Sequence, residues 1–327
     1  MKSEEILQII LKNSKTLGSE VKDIIMCHGY VIAEDIFAKD NIPPFNSSIK
    51  DGFAVLYDDI KNTIPEKPVE LKIIDEQPAG FVSHKRVTPG TAIRIMTGAM
   101  LPEGADTIIQ SEMTVSYNSH VQIKQMVEKS INIKMAGADM KIGEKIIEKG
   151  TFLNFSCIGI LASQGYSKIK VYRKPTVAVL ATGSELIPIY EKLKPGKIRD
   201  SNSYMLYALV LETGAKPVKL NTVRDDLESI SRLIKNTMTD CDVMIITGGV
   251  AGGDFDFLQN VIDGLGSNNG CLKIFRKSGK PLILGKLNDK PIFGLPGNPN
   301  AARICFEEYV QPALLKMMGR QVAQAKI

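Results

Sequence analysis

Five short segments hold a concentrated set of acids, bases and glycines: ATGSEL (181–186), VRDD (223–226), TGGVAGGDFD (247–256), RKSGKP (276–281) and LPGNPN (295–300). Among them are the carboxylates Glu185, Asp225, Asp226, Asp254 and Asp256, and the amines of Lys277 and Lys280. Thr182–Gly183, Thr247–Gly248–Gly249 and Pro296–Gly297–Asn298–Pro299 are turn chemistry that lets a ligand approach backbone N–H groups closely. Such a set suits an anionic small molecule held by lysines and peptide N–H groups beside acidic neighbours. Two common nucleotide fingerprints do not fit, because GGVAGG lacks the G-x-G-x-x-G spacing and the glycines of GKPLILGK are too far apart for a P-loop.

Each segment has an ordinary origin as well. Asp254 could cap a helix, the two lysines could be a solvated face, Asp225 with Glu228 forms an Asp-x-x-Glu cap, and Asn298–Pro299 is a plain helix start. Their common place in the chain favours a site. From residue 171 the sequence alternates largely apolar runs (KPTVAVLAT, PVKLNTV, CDVMIIT, LKIFRK, LILG, PIFGL) with helical stretches, one ending in Gly214. Continuous apolar strands between helices predict a parallel sheet covered on both faces, a three-layer α/β/α domain. In such a sheet ligands bind beyond the carboxyl ends of the strands, which is where all five segments fall.

Upstream, residues 3–16 and 19–28 read as two amphipathic helices, with Gly29 stopping the second and a strand YVIAEDIFA following. The region to about 170 is β-rich and broken by Pro, Gly and Asn. Within it PPFNSSIKDGFA (43–54) carries an Asp51–Gly52 turn signal, and RIMTGAMLPEGADTIIQSE (94–112) surrounds Thr97 with small residues before a Pro-Glu-Gly turn.

The 327 residues correspond to about two domains. With 44% hydrophobic and 24% charged residues the chain is an ordinary globular protein, and a net charge of +5 is too small and scattered to mark a nucleic-acid partner. The five cysteines are dispersed without a CxxC pair, which reads as reduced thiols. No signal peptide and no apolar run of about 18 to 20 residues is present, so a cytoplasmic protein without membrane contact is expected.

Taken in order, PPFNSSIKDGFA, RIMTGAMLPEGAD, GADMKIGEKI, LATGSELI, KIRDSNSYML, TGGVAGGDFD, KSGKP and GLPGNP resemble the molybdopterin molybdenumtransferases, the molybdenum insertases (MoeA) that include the gephyrin E domain. The resemblance runs from about residue 3 to 320 and implies an elongated homodimer. It implies an N-terminal region over 1–170, with a dimerisation part and a small β-rich insert at about 61–130. A molybdopterin-binding α/β domain over 171–320 and a tail at 321–327 would follow. The implied reaction joins molybdate to adenylylated molybdopterin and releases AMP.

Carried over by motif, the reacting residues would be Asp51, Thr97, Asp139, Glu185, Asp226 and Asp256, the first three serving the partner's α/β domain. Lys277 and Lys280 would hold phosphate or molybdate, and Pro296 and Pro299 would shape the pocket. Other proteins of molybdenum cofactor biosynthesis are expected partners. The alternatives are a molybdopterin-nucleotide binding or adenylyl-transferring protein and a non-catalytic dimeric scaffold. Ser184, Ser278, Ala251, Gly252 and Asn300 depart from the family pattern, and the small β domain that follows the α/β domain in the family is not expected here.

Charge adds one further expectation. Molybdate and a pyrophosphate linkage are anions, and two unit charges 4 Å apart repel by about 4 kcal/mol at an effective dielectric of 20. Glu185, Asp226 and Asp256 are therefore expected to act through a divalent ion, Mg²⁺.

Overall fold

The computed structural model describes residues 3–223, 227–248, 258, 261, 264, 272–275 and 281–321. They fall into two compact units, one built from the N-terminal 35 residues together with the chain from 147 onward, the other from Ile36–Ile146.

The first unit opens with helix α1 (Ser3–Asn13). A second helix at 19–28 does not form: Ser19–Asp23 is strand β1 and Ile24–Met26 a single 3₁₀ turn. The cause is a partner far along the chain, for β1 pairs antiparallel with β12 (below), Ser19 opposite Tyr172 and Asp23 opposite Lys168. Gly29 does turn the chain, at φ +78°. The predicted strand over 30–38 is reduced to isolated bridges at Val31 and Ile32 and the short β2 (Ile36–Phe37).

The second unit is a six-stranded sheet in the order β7-β4-β6-β5-β9-β8. After β3 (Ser47–Ser48) its strands are β4 (Gly52–Val55), β5 (Val69–Gln77), β6 (Thr91–Ile95), β7 (Thr107–Gln110), β8 (Thr114–Tyr117) and β9 (His120–Ile123). Helix α2 (Tyr57–Ile60) follows β4, and β10 (Ile133–Lys134) and β11 (Lys145–Ile147) close the unit. Phe53, Val55, Leu71, Ala92, Ile109, Val121 and Ile123 form its core. Asp51–Gly52 is not the turn expected from its sequence. Gly52 opens β4 between β6 and β7, and a Cβ there would lie 1.9 Å from the Ile109 carbonyl oxygen. Glycine is required by close strand approach, not by turn geometry.

Back in the first unit come α3 (Phe155–Ser163), β12 (Lys168–Tyr172), β13 (Thr176–Ala181), β14 (Leu186–Ile187), β15 (Ile198–Arg199), α4 (Asn202–Thr213) and β16 (Lys216–Lys219). Then follow α5 (Leu227–Asp240), β17 (Val243–Thr247), β18 (Leu272–Phe275), β19 (Pro281–Leu287), β20 (Lys290–Leu295), α6 (Pro299–Cys305) and α7 (Gln311–Met317). The sheet runs β16-β13-β17-β20-β19-β18. Alternate residues of its strands enter two cores. Val177, Val179, Val243 and Ile245 meet Ile6 and Ile10 of α1 and Leu206 and Val210 of α4. Ala178, Leu180, Met244 and Ile246 meet Ile230, Ile234 and Met238, one stripe of α5. Helices on both faces make the three layers read from the sequence.

Only four of the strands are parallel neighbours: β18, β19 and β20 pair antiparallel. Asn288 and Asp289, with φ of +51° and +65°, form the two-residue turn that reverses β19 into β20. Two reversals return β18 to the direction of β20, so β18 ends on the same sheet edge as β13, β17 and β20. No helix among the described residues is long and apolar enough to cross a membrane.

Candidate functional site

At the carboxyl edge of the α/β sheet the chain leaves three adjacent strands through Thr182, Thr247 and Pro296. Thr182 is buried and donates its N–H to the Thr247 carbonyl at 2.9 Å, which prolongs the β13–β17 ladder by one bond. Gly248 then turns at φ +99°, and a Cβ on it would sit 2.0 Å from the Thr182 carbonyl oxygen. A Cβ on Gly297 would lie 3.5 Å from the Gly248 Cα. The three strand exits thus approach one another closely through their backbones.

Glu185 folds back over this turn. Its carboxylate oxygens lie 2.6 and 2.7 Å from where a Cβ on Gly183 would stand, so the glycine leaves the space the acid occupies. The exposed carboxylate is anchored through its main chain, because Ile198 of β15 donates its N–H to the Glu185 carbonyl at 2.9 Å and Lys197 Nζ binds the Ser184 carbonyl at 2.5 Å. Asn298 caps α6 by accepting the Ala301 N–H at 3.2 Å, with Pro299 at the first helical position, as the sequence indicated.

The start of α4 ties these exits together. Asn202 Nδ2 donates to Thr247 Oγ1 at 3.1 Å and to the Gly297 carbonyl at 2.8 Å, and Thr247 Oγ1 donates to the Pro296 carbonyl at 3.0 Å. Buried Asp200 accepts the N–H and hydroxyl of Ser203 and holds the helix end. Asn202 and Asp200 lie in KIRDSNSYML, a segment to which the sequence reading assigned no site role. The contribution of Asn202 depends on partners 45 and 95 residues away, which no local pattern reports.

In the other unit, Asp51 and Thr97 come together as a pair. The Thr97 N–H and hydroxyl both donate to Asp51 Oδ1 at 2.7 Å, because β4 begins at Gly52 directly beside Ile95 at the end of β6. Those two bonds, the backbone one foremost, and the charge of Arg94 hold the Asp51 carboxyl below its ordinary value, so it is ionised at neutral pH. Thr97→Val is expected to raise the Asp51 pKa toward that value while the backbone bond remains, as a carboxyl ¹³C NMR titration would read. Asp139 has a different partner, Lys134 Nζ at 2.5 Å, and its N–H reaches the Ile42 carbonyl at 2.9 Å. The two pairs flank β3, since Ser47 lies opposite Lys134 and bridges to Met100.

Asp225, Asp226, Gly249, Ala251, Gly252, Asp254, Asp256, Lys277, Ser278 and Lys280 lie outside the described residues. The described strands bring their flanks to the same edge: Val223 bridges Thr182, and β18 ends and β19 begins where Phe275 pairs with Pro281. Among the described residues no three His, Cys, Asp or Glu side chains converge to hold a metal. Glu185 is the described member of the expected ligand set, and its exposed oxygens are the hard donors a divalent cation takes.

Comparison with known proteins gives a consistent picture. Residues 1–165 match the family described as MoeA N-terminal region (domain I and II), and residues 178–316 match the one described as probable molybdopterin binding domain. A molybdopterin molybdenumtransferase of Staphylococcus epidermidis is 38% identical over 299 residues, 91% of this chain and 71% of the relative. That of Bacillus subtilis is 39% identical over 287 residues, 86% and 67% of the two chains. The crystal structure of a molybdopterin biosynthesis MoeA protein from Pyrococcus horikosii superposes with a TM-score of 0.87 at 34% identity, over 98% of this chain and 81% of the other.

Proposed function

Since the chain belongs to the molybdopterin molybdenumtransferase family and so to molybdenum cofactor biosynthesis, we propose that it binds adenylylated molybdopterin at the carboxyl edge of its α/β sheet. There it joins molybdate to the pterin and releases AMP. The observation that carries this reading is the close backbone approach of Thr182, Gly248 and Gly297 at three strand exits, beside an acid folded over Gly183. An anionic phosphate ester finds peptide N–H groups at such an edge at close range.

In this reading Lys277 and Lys280 bind the anionic oxygens, and Pro296 and Pro299 set the shape of the turn they adjoin. Glu185, Asp226 and Asp256 would hold Mg²⁺, whose charge would offset the repulsion between these carboxylates and an anionic substrate. Asn202 keeps the exits of β17 and β20 in register. Asp51, kept ionised by Thr97, and Asp139, paired with Lys134, belong to the same chemistry by family resemblance. Residues 1–170 supply the dimerisation part and the small β-rich insert, and 171–320 the pterin-binding domain. A second copy of the chain has apolar surface to cover, since Val21, Ile25, Met26 and Phe155 are 65%, 80%, 64% and 80% exposed.

The test incubates the protein with adenylylated molybdopterin, molybdate and Mg²⁺ and follows AMP. Release that needs molybdate and stops with EDTA is the expected result. Undiminished release in metal-free buffer would remove Mg²⁺ from the proposal. Tight binding without release would favour a pterin-nucleotide binding protein, and no binding a scaffold.

A further inference from the structure

Across the sheet from that edge, the turn Arg173–Lys174–Pro175 joins β12 to β13, and a group of cations gathers around it. Lys174 Nζ lies 4.1 Å from the centre of the Tyr30 ring, and Lys22 Nζ lies 5.3 Å from the same centre. Lys216, at the start of β16, is close enough to act on Lys174 by its charge. Arg320 stacks 4.4 Å over Phe152, and both line a small cavity with Lys174, Tyr30 and Tyr172.

The acids nearby pair with other cations of the group. Asp242 binds the Arg173 guanidinium with both oxygens at 2.7 Å, and Glu20 lies 3.7 Å from Lys22. No ion pair to Lys174 is formed among the described residues, and the side chain is partly buried. Two like charges and loss of water both disfavour the ammonium form, burial foremost, and the Lys174 pKa is lowered. Tyr30 attracts the ammonium but is too weak a counterpart to reverse this. Gly29 lies against the amine, since a Cβ at that position would stand 3.8 Å from Nζ.

We propose that Lys174 is an acyl-accepting lysine, modified on Nζ by small acyl phosphates that the surrounding cations draw in. In the step, the Nζ lone pair attacks the acyl carbon and an N–C bond forms. The C–O bond to phosphate breaks, phosphate leaves with that electron pair, and the amine proton passes to solvent. The product amide is neutral, which removes one of three crowded positive charges and the cation above Tyr30.

Acetyl phosphate is the probe. The full chain is incubated with it across a pH series, digested, and the acetylation of each lysine followed by mass spectrometry, with exposed Lys124 as internal reference. Lys174 is expected to react roughly fivefold faster than Lys124 at neutral pH, with a rate profile that inflects at lower pH. Lys216→Gln, on an exposed strand position, is expected to slow Lys174 about twofold and leave Lys124 unchanged. If that variant does not fold, high salt applied to the wild type should slow Lys174 in the same way by screening its neighbours. Reaction of Lys174 no faster than Lys124, or a rate unmoved both by the variant and by salt, would overturn the proposal.

Discussion

Gly248→Ala is expected to destabilise the α/β unit by about 3 to 5 kcal/mol, the sum of a left-handed backbone and a steric overlap that cannot relax cheaply. The added Cβ would stand 2.0 Å from the Thr182 carbonyl oxygen at φ +99°. Thr182 is itself held by its N–H bond to Thr247, so the strands would have to part to make room. A loss of that size is a large share of the stability of an ordinary domain. Gly297→Ala supplies the control. Its Cβ would meet the Gly248 Cα at 3.5 Å, an ordinary contact, and should cost under about 1 kcal/mol. Urea unfolding midpoints of the two variants decide the matter, and a Gly248→Ala protein as stable as the wild type would refute this account of the edge. Pterin binding should fall with Gly248→Ala if the backbone contact is what shapes the site.

Asp242→Ala is expected to cost about 2 kcal/mol at neutral pH. Asp242 is 12% exposed and takes both guanidinium bonds of Arg173 together with the Thr176 N–H at 2.8 Å. Its removal strips β13 of the contact that fixes its first residue beside β17. The figure is below that of a fully buried pair because Arg173 is 40% exposed and water can replace part of what it loses. Burial alone would raise the Asp242 carboxyl, but the Arg173 bonds and the Thr176 N–H outweigh it and hold it below 3.8. A carboxyl depressed on folding stabilises the native state fully above that ordinary value and loses this contribution as pH falls through the native one. The difference between wild type and variant should therefore be constant around neutrality and close in acid. Urea titrations at about pH 7 and about pH 3 would show it, and a gap that widens in acid would contradict the assignment.

Local features of the chain were legible wherever the determining contact is local. Asn298–Pro299 starts α6 and Gly214 ends α4 at φ +94°, because a cap needs partners only a turn away. The segments TVAVLA of β13 and VMIIT of β17 read as covered strands because every residue in them is apolar or a threonine. Where a distant partner claims the backbone, the same kind of reading failed. Residues 19–28 place Val21, Ile24 and Ile25 at helical spacing, yet the pairing of Ser19–Asp23 with β12 makes that part a strand. Asp51–Gly52 carries a turn signature, yet the Ile109 carbonyl makes the glycine a strand residue. Asn288–Asp289 adopts the left-handed two-residue turn, so the margin of the sheet expected to be parallel is antiparallel.

The candidate site divides along the same line. Asp51, Thr97 and Asp139 are indicated by the family resemblance alone, and Glu185 also by its place after a strand. That Asp51 belongs with Thr97 while Asp139 belongs with Lys134 follows from strand register. Asn202 was missed because an amide bridging Thr247 and Gly297 leaves no mark near residue 202. From residue order alone come the alternation of strands and helices, their caps, the acids and lysines grouped at strand ends, and the family. Folding alone chose which segments pair, which glycines tolerate no side chain, and which neighbour each carboxylate acquires. Hydrogen bonding within a turn is encoded by adjacent residues, whereas ladder pairing and close backbone approach are settled by groups tens of residues apart, whose meeting depends on the whole packed chain.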